Sequence, residues 1–404
     1  MKKMGIIGAV LLCVLFCGCQ KQQKAPVKEK EQLTLWHYWD VAKNQDLLEN
    51  LVNEFNNSQD EAEITIQYVP DEDFKKQLAL SMAEGTMPDI ALVDSSDFQY
   101  FHNMKPFADL TDRISELQDY LPEAMQPCTI DGKFYGQPFG LNCAALFYNE
   151  TLLEEAGCKV PQNWEEFQET AAKVSKGDVS GYAITALPSE ESMYQFLPIF
   201  WSMGGDVSEV NGAGKTQAFQ LIRSMAEQGS LTKKSISMTM GDLTNQFTNG
   251  NIAMMINSSM AVDTITENAP DLKFGVTEIP GEQGEHLSVI GGEILAVSEN
   301  GNEDKSALFL EFLADKKRMQ TYMDEFGFLA PRADVMSSQF PDNELKHEFL
   351  DIFQSAKVRE FTPEWPQISL EMSHALNRVI VGDGTNEDIL NETAKSIEKI
   401  RGEE

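Results

Sequence analysis

The strongest constraint on the fold is the alternation of strand and helix patterns near the start of the chain. Residues 33–36 (LTLW) alternate and predict a strand, and residues 46–55 place apolar side chains at helical spacing. A second alternating strand at 64–68, a helix at 74–82 and an unbroken apolar run at 90–93 follow. Such a run indicates a strand buried on both faces. This order predicts an α/β fold with a parallel sheet covered by helices.

The same alternation continues through the rest of the chain, whose 404 residues predict two or three domains. The pattern predicts strands at 146–148, 182–184, 252–256, 274–279 and 294–297. It predicts helices at 164–174, 306–313, 316–326, 344–353, 369–379 and 387–400.

The charge of the chain excludes one class of function. With 64 Asp and Glu against 32 Lys and Arg, the formal net charge is −32. Nucleic-acid binding needs a basic surface that displaces counterions, so no nucleic-acid partner is expected. The charge indicates a soluble body that repels its own copies, which favours a monomer. It does not identify a ligand.

The N-terminus has the pattern of an export signal. Lys2 and Lys3 precede an apolar stretch at 6–16, which is too short to span a membrane, and Cys17-Gly18-Cys19 follows. Gly18-Cys19 resembles the bacterial lipobox, so we expect residues 1–18 to be a lipoprotein signal peptide and Cys19 to carry lipid such as palmitate. An ordinary cleaved signal without lipid is the alternative. The lysine-rich residues 19–32 suit a tether. The protein is therefore predicted to be extracytoplasmic and anchored to the cell membrane.

The cysteines that remain after signal removal predict neither a disulfide framework nor a metal site. Cys128, Cys143 and Cys158 are an odd number, so at most one disulfide can form within the chain. No Cys or His spacing suits zinc. We expect buried free thiols and no cofactor.

Catalytic motifs are absent from the sequence. Glu209 stands where a phosphate-binding loop would need its first glycine, and Asp351 stands where a zinc peptidase helix would need its second histidine. No G-x-S-x-G elbow occurs, and no carboxylate pair is singled out as a glycosidase pair. These absences favour a binding protein over an enzyme.

Six segments in order resemble the extracellular solute-binding proteins of bacterial ABC importers, in the sugar-binding branch that includes maltose-binding protein. They are LTLWHYWD (33–40), GTMPDIALV (85–93), DGKFYGQPFGLNCAALFYNE (131–150), PQNWEEF (161–167), FTNGNIAMMIN (247–257) and TPEWPQISLEM (362–372). The resemblance implies a carbohydrate ligand, capture without catalysis, and delivery to the permease subunits of an ABC transporter.

The resemblance also implies a type II periplasmic-binding-protein-like fold, in which two α/β lobes are joined by three hinge crossings. The crossings would lie near residues 140–142, 280 and 330–332. Lobe 1 would comprise 33–141 and 281–331, and lobe 2 would comprise 142–280 and 332–404. The ligand would occupy the cleft between the lobes, at strand ends.

A sugar site needs flat aromatic faces beside side chains that donate and accept hydrogen bonds. Tyr38, Trp39 and Asp40 supply both at a strand end, although an aromatic cluster packed on the lobe is the alternative. Another polar trio follows the buried strand at 90–93, either as a helix cap or as a hydroxyl-binding loop. Its members are Asp94, Ser95 and Ser96.

The resemblance suggests further contacts. Asn142 falls at a predicted crossing, and Ser259 or Met260 stands where sugar binders often hold a tryptophan. Gly292 would let backbone approach the ligand while Glu293 accepts hydroxyl bonds. The remaining candidates are Tyr194, Trp201 and Trp365. Core packing is the alternative for Tyr194 and Trp201, and Trp365, flanked by prolines, is expected to form a platform.

Three alternatives remain open at this stage. The same fold could bind a polyamine, because Asp40, Asp94 and Glu293 could suit a cation. A surface-anchored glycoside hydrolase would need two essential carboxylates. An accessory protein that has lost its ligand is the third.

Overall fold

The computed structural model describes residues 29–212, 214–282, 285–299 and 301–402. The predicted signal peptide, Cys19 and residues 20–28 of the predicted tether lie outside the described residues.

The described residues form eleven strands and sixteen α-helices. Strands β1–β11 are Glu31–His37, Ala62–Tyr68, Ile90–Asp94, Thr129–Ile130, Lys133–Phe134, Gln137–Asn149, Ser180–Ala183, Ile252–Ser258, Phe274–Thr277, Ser288–Val297 and Ala356–Val358. Helices α1–α16 are Ala42–Ser58, Asp71–Glu84, Phe98–His102, Pro122–Met125, Glu150–Glu155, Trp164–Val174, Glu190–Ser202, Gln217–Gln228, Met240–Thr248, Met260–Asn268, Glu303–Leu313, Lys316–Phe326, Ala333–Met336, Glu344–Ile352, Trp365–Val381 and Asn386–Arg401.

One mixed sheet organises the molecule, with the strand order β2-β1-β3-β10-β6-β8-β7. β1 pairs in parallel with β2 and β3, which confirms the predicted parallel sheet in this part of the chain. β10 pairs antiparallel with β3 on one side and with β6 on the other. The 13-residue β6 pairs with β10 through its first half and with β8 through its second half. β10 and β6 therefore connect the two ends of the sheet.

The buried apolar side chains divide into two clusters. The first contains residues of β1 and β3 such as Leu35 and Leu92. The second contains Phe196 of α7, Met254 of β8 and Trp365 of α15. Helices pack against strands throughout the sheet, among them α1 on β2, α6 on β7 and α9 on β8, in line with the α/β prediction.

Every predicted strand and helix overlaps an observed one, but eight helices were not predicted: α3, α4, α5, α7, α8, α9, α10 and α13. In α7, nine consecutive residues from Ser192 to Phe200 are buried, so the helix lacks the polar face that periodicity detects. Pro198 lies inside it and further obscures the pattern. β1 begins at Glu31, which places the last two residues of the predicted tether in the sheet.

The structure also tests the prediction for the three cysteines that follow the signal segment. Cys128, Cys143 and Cys158 are unpaired, with the first two buried and Cys158 half-buried. Asp131 and Gly132, the first two residues of the segment 131–150, form the turn that joins β4 to β5, with φ of 52° at Asp131 and 77° at Gly132. Among the described residues, no helix has the combined length and hydropathy to cross a membrane.

Candidate functional site

Strand pairing brings four of the predicted site residues together. Glu293 on β10 lies opposite Asp94, the last residue of β3, and also opposite Gly140 on β6. Gly292 and Gly291 follow the same ladder, and Gly291 lies opposite Asn142. Tyr38 and Trp39 come directly after β1, which neighbours β3. The site is thus built at strand ends, as expected for an α/β sheet.

Glu293 receives hydrogen bonds from both aromatic residues that follow β1. The Tyr38 hydroxyl donates to its Oε2 at 2.6 Å, and Trp39 Nε1 donates to its Oε1 at 3.3 Å. Burial, together with the negative charge of Asp94, raises the pKa of Glu293 to about 8, although these hydrogen bonds act in the opposite direction. Glu293 is therefore largely protonated at neutral pH.

The aromatic rings at this position are partly used for packing. Trp39 is buried against Phe139, Phe326 and Phe328, and its ring centroid lies 5.2–5.9 Å from the centroids of these three rings. Tyr38 is half-buried and lies 5.1 Å from Phe74. Tyr38 is therefore the more exposed of the two residues.

The neighbouring strand β6 leaves no room for a side chain at Gly292. Its φ is 150°, and a Cβ at this position would lie 2.3 Å from the Gly140 carbonyl oxygen. The Gly292 carbonyl accepts a hydrogen bond from the Ser95 backbone N–H at 2.9 Å. The close approach that this glycine permits is between strands.

Arg359, which sequence reasoning missed, lies at the centre of the site. Its side chain is almost fully buried, with the residue 3 % exposed. Its Nη1 lies 2.6 Å from Glu190 Oε1, and its Nη2 lies 3.5 Å from Asp94 Oδ1 and 3.3 Å from Ser95 Oγ. An arginine one residue after a three-residue strand carries no recognisable motif, so only the fold reveals it.

Trp365 belongs to the second cluster of buried apolar side chains, called the second core below, and contacts Glu190 from there. It is 1 % exposed, and its Nε1 donates to Glu190 Oε1 at 3.2 Å. Ser369 on the same helix donates to Glu190 Oε2. Trp365 therefore orients Glu190 from beneath and does not present the open platform that we expected, because its ring is enclosed.

A second ion pair, also missed by sequence reasoning, lies beside the first. Lys75 on α2 is 2.8 Å from Asp97 Oδ2. Burial raises the pKa of Asp97 to about 7, against the opposing effect of the Lys75 charge. No group of three or more His, Cys, Asp or Glu side chains in the described part of the chain is arranged to hold a metal ion.

Four polar atoms at the site are buried without a hydrogen-bond partner: Ser96 Oγ, Asn142 Oδ1, Tyr194 OH and Arg359 Nε. Tyr194 is 6 % exposed, and burial raises its pKa well above the ordinary value. Asn142 Oδ1 and the Tyr194 ring both lie against Gly291. Because buried polar groups in proteins are normally hydrogen-bonded, this concentration indicates a binding site for a polar molecule.

The other predicted site residues lie apart from this cluster or are used within the protein. Asp40 is exposed, and Trp201 packs partly buried against the second core, near the far end of α7. Ser259 is buried and donates to the Gly327 carbonyl at 2.6 Å. Met260 begins α10 beside the same glycine. The start of α10 is thus hydrogen-bonded, through Ser259, to the segment that carries Phe326 and Phe328.

Comparisons with known proteins agree with this architecture. The family model described as bacterial extracellular solute-binding protein matches residues 50–347. A putative binding protein of Brucella abortus is 26 % identical over 295 residues, which cover 70 % of this chain and 71 % of the relative. The multiple sugar-binding protein of Streptococcus mutans is 24 % identical over 353 residues, which cover 81 % of each chain.

The fold is also similar to solved structures. An ABC transporter solute-binding protein from Thermotoga lettingae, bound with alpha-D-tagatose, superposes with a TM-score of 0.83 at 21 % identity. The match covers 92 % of this chain and 100 % of that one. This likeness shows that the chain has the two-lobed α/β fold of such proteins.

Proposed function

This chain belongs to the bacterial extracellular solute-binding protein family, and from that membership we propose that it captures a carbohydrate for an ABC importer. The proposal includes no catalytic step. The relatives support it by what they bind: one is named a multiple sugar-binding protein, and another was solved with tagatose.

The observation that carries the proposal is the set of unpartnered buried polar atoms beside an aromatic ring. Ser96, Asn142, Tyr194 and Arg359 together offer hydroxyl, carbonyl and guanidinium groups. Tyr38 adds a half-buried ring next to Glu293. A sugar has hydroxyls on its rim and an apolar C–H face, so it needs this combination of donors, acceptors and a flat surface.

We propose that capture occurs by closure of two lobes, with the boundaries given above. In that division Asp94 and Ser96 belong to lobe 1, whereas Tyr194 and Arg359 belong to lobe 2. A ligand that contacts both groups stabilises the closed form and shifts the population toward it. The closed form would then dock on the permease.

The proposal is tested by titrating the purified protein with mono- and oligosaccharides in a calorimeter and following small-angle scattering in parallel. We expect one class of sugar to bind and to reduce the radius of gyration. A protein that binds no sugar in a panel of gluco-, galacto-, manno- and pentose-configured ligands would contradict the proposal.

A tyrosine pair makes this test specific to the site. Tyr194→Phe should weaken sugar binding about tenfold, because it removes a hydroxyl group that would form a hydrogen bond with the sugar. Tyr182→Phe is the matched control, since Tyr182 also has a buried unpartnered hydroxyl but belongs to β7 and the second core. Equal effects of the two substitutions would argue against the site.

We also propose that Cys19 carries a lipid that anchors the protein to the cell membrane. The basis is the Gly18-Cys19 pair after the apolar stretch. Cys19→Ala should move the protein from the membrane fraction to the soluble fraction and abolish incorporation of labelled palmitate, whereas Cys17→Ala should leave both unchanged. A wild-type protein that incorporates no labelled palmitate would contradict this proposal.

A further inference from the structure

The candidate site contains more acidic groups than basic groups. Asp94, Asp97, Glu190 and Glu293 meet there, against Lys75 and Arg359. Lys75 pairs with Asp97, and Arg359 is shared between Asp94 and Glu190. Glu293 has hydrogen bonds from Tyr38 and Trp39 but no basic side chain within ion-pair distance in the described part of the chain.

More acidic groups surround the site from both proposed lobes. Glu191, beside Glu190 on α7, is half-buried and accepts a hydrogen bond from the Met240 backbone N–H at 3.0 Å. Burial raises its pKa, and the negative charges of Asp71, Asp40 and Asp242 add to the effect. Asp71 and Asp40 belong to lobe 1 in the proposed division, whereas Glu191 belongs to lobe 2. In the closed form, acidic side chains of both lobes would therefore lie near one another, with Arg359 as the lobe 2 cation that pairs with Asp94.

We infer that the captured carbohydrate carries a protonated amine, whose ammonium group lies at the facing carboxyl groups of Asp94 and Glu293. This inference rests on the proposed function and names its ligand class. Asp94 is the accessible member of the pair, with its side chain 33 % exposed. The buried unpartnered atoms of Ser96, Tyr194 and Arg359 then serve the hydroxyls of the same molecule.

The number of protons released on binding distinguishes an amine-bearing ligand from a neutral one. With pKa values of about 8 for Glu293 and about 7 for Asp97, part of the surplus negative charge is neutralised by protons at pH 7. An ammonium ion beside Asp94 and Glu293 stabilises the ionised carboxylate and displaces a proton. A neutral sugar at the same position leaves that proton in place.

The test compares sugars that differ in one group only. One set consists of glucose, N-acetylglucosamine and glucosamine. The other sets are the corresponding galacto and manno sugars and the β-1,4-linked disaccharides of each series. Calorimetry at pH 7 in two buffers of different ionisation enthalpy measures both the affinity and the protons released. We expect the free-amine member of one set to bind at least about tenfold tighter than its neutral and acetylated counterparts. It should release a proton on binding, while they should not.

A charge-removing variant locates the effect. Asp94→Asn should reduce the preference for the amine to about threefold or less while leaving neutral sugars less affected. Asp271→Asn is the control, because it removes the same charge from an exposed turn.

The outcomes separate the inference from the proposed function. Neutral and amine-bearing sugars binding equally, without proton release, would overturn the inference and leave carbohydrate capture intact. Binding of spermidine with no binding of any sugar would overturn carbohydrate capture and, with it, the amine-bearing carbohydrate, and would leave an ammonium site for a non-sugar ligand. A protein that binds none of these ligands would overturn both.

Discussion

Glu293 shows how burial changes the chemistry of a single residue in this protein. Its carboxyl group lies between Tyr38, Trp39 and the charge of Asp94, and its pKa is raised to about 8. Between the ordinary carboxyl pKa and pH 8, the folded protein holds a proton that the unfolded chain has released. Folding is therefore favoured at the acidic end of this interval and loses stability as the pH rises. Asp97, with a pKa of about 7, acts in the same direction.

We therefore expect the free energy of unfolding to fall as the pH is raised from about 5 to about 8, from these two groups alone. Glu293→Gln, which mimics the protonated side chain, should flatten this dependence, while Glu398→Gln on the exposed face of α16 should not. Urea titrations at several pH values measure the effect. Identical pH profiles for Glu293→Gln and the wild type would contradict the assignment.

At the scale of elements, β10 determines the geometry of the site. It lies between β3 and β6 and places Glu293, Gly292 and Gly291 beside Asp94 and Asn142. The pairing with β6 is irregular between Glu293 and Ile294. Gly292, with φ of 150°, allows the strands to approach closely at this point.

Gly292→Ala should destabilise the protein by about 2–4 kcal/mol, because it combines an unfavourable φ with a backbone clash. Gly85→Ala is the matched control. Gly85 also has a positive φ, 67°, but a Cβ there would meet nothing within 4 Å, so it should cost only about 1 kcal/mol. Thermal unfolding of both variants measures the difference, and equal losses would show that the contact with Gly140 is unimportant.

At the scale of the whole molecule, Arg359 connects distant parts of the chain. Its guanidinium contacts Glu190 on α7 and also Asp94 and Ser95 at the end of β3. In the proposed division the first partner belongs to lobe 2 and the other two to lobe 1. Lys43 of α1 makes similar contacts with Asp263 and Glu267 of α10, but these are near the surface. The buried contacts of Arg359 are therefore the stronger candidates for holding the lobes together.

Arg359→Met should shift the ligand-free protein further toward the open form, which has the larger radius of gyration, and destabilise it by about 3–5 kcal/mol, because it leaves the half-buried Glu190 without its cation. The double variant Arg359→Met/Glu190→Gln removes both charges and should recover stability while remaining open. Arg378→Met, which breaks exposed pairs on α15, is the control. Small-angle scattering that shows no opening in the double variant would contradict this role.

The sequence alone predicted the features that arise from local patterns. The strand and helix order came from hydrophobic periodicity, and the position of Tyr38, Trp39 and Asp94 at strand ends followed from it. Helix α7 was missed because burial on all sides removes the periodic signal.

Only the tertiary structure decided how the site is completed. Arg359 is 264 residues from Ser95 along the chain, and no local pattern joins them. Trp365 has the flanking prolines expected of an exposed loop, yet the packing of α15 against the second core buries it. The charge of the whole chain does not reveal that Asp94, Glu190 and Glu293 meet at one site. Local structure depends on neighbours in sequence, whereas burial and charge pairing depend on neighbours in space, which the fold alone brings together.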